Sequence, residues 1–216
     1  ALGRRAEELF QAIPREIGDA LPGALRLLVT VGQGEGIDAT ARVVPIDRFP
    51  EGTAGRKLVE AFLVPEARLL VADEGGVRLA HEALLTHWER AREQIEVDRK
   101  DYQVRGRLEL AAKRWQNAGK KEQDSLLLPP GVPLLEGKGL LERWRQEIDP
   151  EIETYIRASL RAAKRRKAKR IAAGIGFALL IPVVVGGYFG TRIYLGVRDI
   201  EPKLAFAPIP AGCFLM

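Results

Sequence analysis

The segment ARLLVADEGGVRLAH (residues 67–81) carries the clearest local structural pattern in this chain. Two β-prone runs, residues 69–72 and 77–80, flank the turn sequence Asp73-Glu74-Gly75-Gly76. Two short β-prone runs joined by a glycine-containing turn predict a β-hairpin. The fold prediction starts from this hairpin.

The segments before the hairpin complete a winged-helix pattern. Residues 54–64 have apolar side chains at helical spacing, and residues 41–46 form a short β-prone run. We predict another helix from about residue 24 to 29, because Pro22-Gly23 is typical of a chain break. Helices, a strand, a helix and a hairpin follow one another in winged helix-turn-helix domains. The predicted fold is therefore mainly α-helical with a small β-wing, and the winged helix occupies residues 21–90.

Helical patterns dominate the chain after the hairpin. A stripe of apolar residues that includes Trp88 and Trp115 runs from His81 to Gly119, and we predict one long helix with tryptophans in the core. The helical region occupies residues 91–148. Asp149 and Pro150 then provide a helix start, because Asp is a favoured N-cap and Pro a favoured first residue. Residues 1–20 are assigned to the end of a preceding helical region.

An uncharged run follows a basic one near the C-terminal end. Residues 171–191 contain no charged side chain. As a helix they rise about 31 Å, close to the roughly 30 Å of bilayer hydrocarbon. We predict a juxtamembrane and transmembrane helix over residues 149–192, with a buried core helix as the alternative. The basic cluster before it is expected to contact anionic lipid headgroups; it consists of Arg161, Lys164, Arg165, Arg166, Lys167, Lys169 and Arg170.

Charge distribution and motif content argue against nucleic-acid binding, a phosphate-binding loop and a metal site in this chain. Residues 1–100 carry 14 basic and 17 acidic side chains, so the winged helix has no excess of positive charge to neutralise the phosphates of a nucleic acid. We therefore expect no nucleic-acid partner. No G-x-x-x-x-G-K-[ST] phosphate-binding loop occurs in the chain. The two histidines, His81 and His87, are six residues apart, and six helical steps of about 100° turn their side chains away from each other. We therefore expect no metal site and no catalytic residue.

Several segments resemble one protein family in the right order. VRLAHEALLTHWERAREQIEVDRKDYQVRGRLELAAKRWQNAG (residues 77–119), together with residues 25–49 and 149–170, is similar to the region after the P-loop core of bacterial STAND-class signalling ATPases of the novel STAND group. The resemblance implies an ATPase module upstream of Ala1 that binds ADP or ATP with Mg²⁺ and acts in cis, with a homo-oligomer as a further expectation. It also implies that His81, followed by Glu82, senses the nucleotide diphosphate. The alternative is that His81 only caps its helix and packs against the wing.

A second resemblance concerns the C-terminal end. FAPIPAGCFLM (residues 206–216) is similar to the opening strand of the formylglycine-generating, sulfatase-modifying family, and residues 200–216 are assigned to the start of such a domain. The combined expectation is a regulator of the bacterial inner membrane with a single span, its N-terminal part in the cytoplasm and its C-terminus outside. Two alternatives stay open: a membrane-tethered winged-helix transcription regulator, and a membrane-anchored formylglycine-generating-type enzyme.

Overall fold

The computed structural model describes residues 2–32, 34 and 38–198, with the backbone alone at 175–184, 190, 194 and 196–198. The chain divides into two compact units, Ala1–Ala163 and Lys164–Met216. The elements, in chain order, are α1 (Leu2–Gln11), α2 (Arg15–Gly18), α3 (Leu21–Leu28), β1 (Val29–Val31), β2 (Ala39–Ala41), a 3₁₀ turn (Ile46–Arg48), α4 (Ala54–Leu63), β3 (Leu70–Asp73), β4 (Gly76–Leu79), α5 (Ala83–His87), α6 (Glu89–Asn117), α7 (Lys120–Gln123), α8 (Val132–Arg143) and α9 (Pro150–Arg198).

The described strands form two separate two-stranded antiparallel sheets. In the first, β1 pairs with β2 so that Val29 lies opposite Ala41. In the second, β3 pairs with β4 at the place where the sequence predicts a hairpin. An isolated bridge between Val44 and Val77 connects the chain after β2 with β4. The hairpin is thereby held against the segment that leads from the first sheet into α4.

Local chemistry explains where α4 and the hairpin turn lie. The Oγ1 of Thr53 accepts a hydrogen bond of 3.2 Å from the backbone N–H of Arg56, which is the N-cap geometry expected for threonine. At the hairpin turn, Gly76 has a φ of +134°, and a Cβ there would lie 2.3 Å from the carbonyl oxygen of Val44. Glycine at this position is therefore required by backbone conformation and by the close approach of the neighbouring chain.

Three local predictions differ from the structure. The helix expected from about residue 24 begins at Leu21, because Pro22 lies in its first turn, where no backbone N–H is needed. The same helix ends at Leu28, since Val29 already belongs to β1, a strand that the sequence analysis did not predict. The long helix expected from His81 is interrupted at Trp88, whose extended backbone separates α5 from α6.

The core of the Ala1–Ala163 unit is built around α6. Trp88, at its start, is buried and packs edge-on against Phe10 and Phe62, with ring centroids 5.8 and 6.0 Å away. Trp115, near its end, contacts Tyr155 of α9 at 5.7 Å. The two tryptophans therefore anchor the core, as the sequence analysis predicted.

The predicted fold class, a winged helix followed by a membrane-spanning helix, is wrong in that no helix in the described part of the chain is long and apolar enough to cross a bilayer. A span needs about 20 consecutive, mostly apolar residues. The described side chains of α9 do not supply such a run, because residues 161–170 carry the basic cluster and, between it and Thr191, side chains are described only at residues 171–174 and 185–189. Residues 175–184 of the predicted span lie outside the described side chains. The described fold is mainly helical with two small sheets.

Candidate functional site

His81 lies between the end of β4 and the start of α5, with its side chain exposed to solvent. Its backbone carbonyl accepts a hydrogen bond of 3.1 Å from Leu84 N–H, so the main chain is hydrogen-bonded while the imidazole faces water. The N-cap of α5 is Glu82, and this residue makes no side-chain capping hydrogen bond. The structure therefore gives the capping position to Glu82, and the His81 imidazole is exposed to solvent.

The Glu82 carboxylate points to the first sheet. Its Oε1 accepts a hydrogen bond of 3.0 Å from the backbone N–H of Ala41, the last residue of β2. The next residue, Arg42, donates its own N–H to the carbonyl of Leu28 at 2.9 Å. The Glu82 carboxylate thus lies at the edge of β2 that faces away from β1, where it is hydrogen-bonded to the backbone.

A three-residue ion cluster lies one residue further along the chain. The Arg42 guanidinium forms a bidentate pair with Asp149, with N–O distances of 3.0 and 3.2 Å. Arg48 donates to the same carboxylate at 2.7 Å and to the carbonyl of Ile148 at 2.8 Å. Burial opposes the charged form of Asp149, but the hydrogen bonds and charges of Arg42 and Arg48 outweigh it and lower the pKa of this carboxyl.

These elements match one family. A model of the family described as Novel STAND NTPase 1 matches residues 1–123. The chain belongs to this novel STAND NTPase family. No curated protein and no solved structure matches the chain. The matched part of this family member runs from α1 to α7 and contains both sheets, His81 and Glu82.

His87, the second histidine of this STAND family member, lies at the other end of α5. It is exposed and lines a pocket of about 420 Å³ together with Glu7, Trp88 and Arg90. Arg90 hydrogen-bonds to Glu7 and lowers its pKa to about 2 despite the opposing effect of burial, and the indole N–H of Trp88 donates to the same carboxylate at 2.8 Å. This ion pair connects α1 to α6 at the side of the pocket.

Arg105 is a buried charged residue that the sequence analysis did not single out. It is 1% exposed, and its guanidinium donates to the carbonyl oxygens of Arg26, in the last turn of α3, and Val29, at the start of β1. Burial lowers its pKa to about 10. A helix C-terminus carries partial negative charge on its unpaired carbonyls, which explains how a buried guanidinium is stabilised there. The detectable signal was a charged residue midway between Tyr102 and Leu108 of the apolar stripe.

The seven residues of the basic cluster, as defined above, are all exposed and lie on α9. No acidic residue interrupts positions 161–170. The structure therefore places these residues on one helix, apart in sequence from the His81 segment. The predicted formylglycine-generating domain, residues 200–216, lies outside the described residues.

The residues at the His81 segment fit a nucleotide only as an accessory contact. An exposed imidazole can donate one hydrogen bond to a phosphate oxygen. The carboxylate of the adjacent Glu82 accepts a hydrogen bond from the backbone N–H of Ala41. A phosphate-binding loop is absent from the sequence. Among the described residues, no group of three His, Cys, Asp or Glu side chains could hold a metal ion.

Proposed function

We propose that this chain is the regulatory region of a STAND ATPase, and that His81 contacts the diphosphate of the ADP held by the ATPase module. The observation that carries the proposal is the exposed imidazole between the hairpin and α5, on a main chain whose carbonyl is hydrogen-bonded to Leu84. The family match over residues 1–123 supports it. The engagement of Glu82 with Ala41 supports it as well, because it draws a negative charge towards β2 and not towards a phosphate.

The contact would act as a latch on the resting state. An imidazole N–H that donates to a diphosphate oxygen stabilises the conformation in which ATPase module and regulatory region are closed together. A hydrogen bond to a charged group contributes about 1.5–3 kcal/mol, which corresponds to a change of about tenfold to more than a hundredfold in the closed-to-open ratio. Loss of the contact should therefore release ADP and activate the protein.

The test is the ADP dissociation rate of the protein that carries the ATPase module joined to this chain. We expect His81→Ala to raise the rate by about tenfold or more. His87→Ala is the matched control, because both histidines are exposed and flank the same short helix. Equal dissociation rates for the two variants would rule out the latch, and a lower melting temperature with unchanged ADP release would show that His81 has only a structural role.

A specific observation favours a second function, docking to an anionic membrane surface. Seven exposed basic side chains occupy ten positions of α9, and each Lys or Arg near an anionic lipid surface contributes about 1 kcal/mol. Exposed apolar and aromatic residues, among them Ile171, Tyr188 and Phe189, follow on the same helix. Basic residues combined with apolar and aromatic ones are typical of helices that lie at a membrane interface.

Vesicle co-sedimentation tests this second function. The chain should bind phosphatidylserine vesicles at low salt and bind phosphatidylcholine vesicles weakly, and salt should weaken the binding because the attraction is electrostatic. Replacing Lys164, Arg165 and Lys167 by Gln should reduce binding, whereas Gln at Lys120, Lys121 and Lys138 removes the same charge elsewhere and should not. Equal loss in both triple variants would show nonspecific attraction. Tighter binding to duplex DNA than to vesicles would assign the cluster to nucleic acid.

A further inference from the structure

The last residue of β2, Ala41, has contacts on both edges of the strand, and the outer contact comes from Glu82, the residue after His81. On one side Val29 of β1 pairs with Ala41. On the other side the Glu82 carboxylate accepts the Ala41 N–H at 3.0 Å. A displacement of the His81–Glu82 segment therefore removes the acceptor from this backbone group, and the end of β2 loses one of its two supports.

The residue after Ala41, Arg42, makes one of the two arginine contacts to the residue before α9, and Arg48 makes the other. Arg42 donates two hydrogen bonds to Asp149. The side chains of Arg42 and Asp149 are 26% and 17% exposed, so the pair is shielded from most of the solvent. Asp149 lies immediately before Pro150, the first residue of α9. Its carbonyl accepts the N–H of Glu153 at 3.0 Å and closes the first turn of the helix. A shift of Arg42 therefore acts on the residue that starts α9.

We propose that Glu82, Ala41, Arg42 and Asp149 couple the His81 segment to the first turn of α9. Release of Glu82 frees the end of β2, the Arg42–Asp149 pair loosens, and the start of α9 loses order. The inference rests on the proposed function only in assigning nucleotide sensing to His81. Because energetic coupling is reciprocal, a substitution at Asp149 must also change the stability of the hydrogen bond made by the Ala41 amide.

Hydrogen exchange in this chain tests the coupling without nucleotide. Glu82→Ala removes the acceptor, and we expect amides 153–156 of α9 to lose protection by about twofold to tenfold, the equivalent of one hydrogen bond. Glu82→Gln keeps a carbonyl acceptor and should restore most of the protection. Asp149→Asn should in turn lower the protection of the Ala41 amide.

Two controls separate coupling from general loosening. Glu74→Ala removes an exposed negative charge from the hairpin turn, and it should leave amides 153–156 unchanged. Amides in the middle of α6 serve as an internal reference for an intact fold in every variant. Faster exchange confined to residues 39–42 in Glu82→Ala, with the start of α9 unchanged, would overturn the proposal. So would an equal effect of Glu74→Ala.

The outcomes for the coupling and for nucleotide sensing are independent. If His81→Ala leaves ADP release unchanged but Glu82→Ala still loosens α9, the coupling stands and the sensing function fails. If ADP release accelerates while α9 exchange in Glu82→Ala equals that of the original chain, sensing stands and the coupling fails. The two measurements use different variants and different readouts, so neither result stands in for the other.

Discussion

Arg105 offers the sharpest test of the packing described above. Its guanidinium is buried and donates to the carbonyl oxygens of Arg26 and Val29, whereas its Nε has no hydrogen-bond partner among the described residues. Arg105→Met preserves much of the side-chain volume and removes the charge and all donors. The carbonyl oxygens of Arg26 and Val29 then lose this donor, the first at a part-buried and the second at a buried position.

The expected loss of stability follows from these contacts. A buried acceptor left without a donor costs about 1–3 kcal/mol, and two are created here. Removing a desolvated charge and an unpaired Nε offsets part of this cost. We therefore expect Arg105→Met to lower the free energy of unfolding by about 2–4 kcal/mol. Arg105→Lys should also destabilise, because an ammonium group does not reproduce the fork that reaches both carbonyls.

Urea unfolding followed by tryptophan fluorescence measures this change. The three tryptophans of the chain, Trp88, Trp115 and Trp144, all lie in the Ala1–Ala163 unit, so the signal reports on the unit that contains Arg105. Arg107→Met is the matched control, because Arg107 lies on the same helix, is half exposed and pairs with Glu136. The control should change stability by less than about 1 kcal/mol. An equal or smaller loss for Arg105→Met, or a gain, would refute the view that Arg105 holds the end of α3.

Two further predictions concern the hairpin turn and the N-terminal helix. Gly76→Ala should lower the free energy of unfolding by about 2–4 kcal/mol, because the new Cβ meets the Val44 carbonyl at a positive φ. Gly119→Ala is the control: a Cβ added there meets no atom within 4 Å, and the free energy of unfolding should change by less than about 1 kcal/mol. Similar values for both variants would contradict the steric argument. Glu7, whose pKa is lowered from 4.5 to about 2 by Arg90, stabilises the fold fully above about pH 4.5, and this contribution is lost as the pH falls towards 2. Glu7→Gln should therefore flatten the acid side of the stability profile between these pH values, and an unchanged profile would contradict the assignment.

Part of the candidate site could be located from the sequence. The hairpin, the position of His81 at its end and the helix over residues 54–63 were predicted within one or two residues, because turn glycines, Thr53 and the helical apolar stripe act over a few neighbouring positions. The exposed basic cluster was likewise evident from consecutive charges. In these cases the residues that decide the structure lie next to one another in the chain.

The contacts around the site could not be predicted in this way. Glu82 finds its partner 41 residues earlier, and Arg42 finds Asp149 107 residues later. The register of β2 against β1 brings Ala41 and Arg42 to these positions, and β1 itself follows α3 in a run of apolar residues that also fits a helix. Sequence spacing carries no information about which acidic residue an arginine will meet across the fold.

The mainly helical character, the hairpin and the family resemblance thus followed from the amino-acid sequence, since each depends on local periodicity or on consecutive motifs. The packing of distant segments, in contrast, sets the break of the helix at Trp88, the burial of Arg105 and the ion pair of Asp149 before α9 begins. These features depend on which backbone carbonyls and charges come together from distant segments. The free energy of burial then favours one arrangement, which composition and periodicity do not encode.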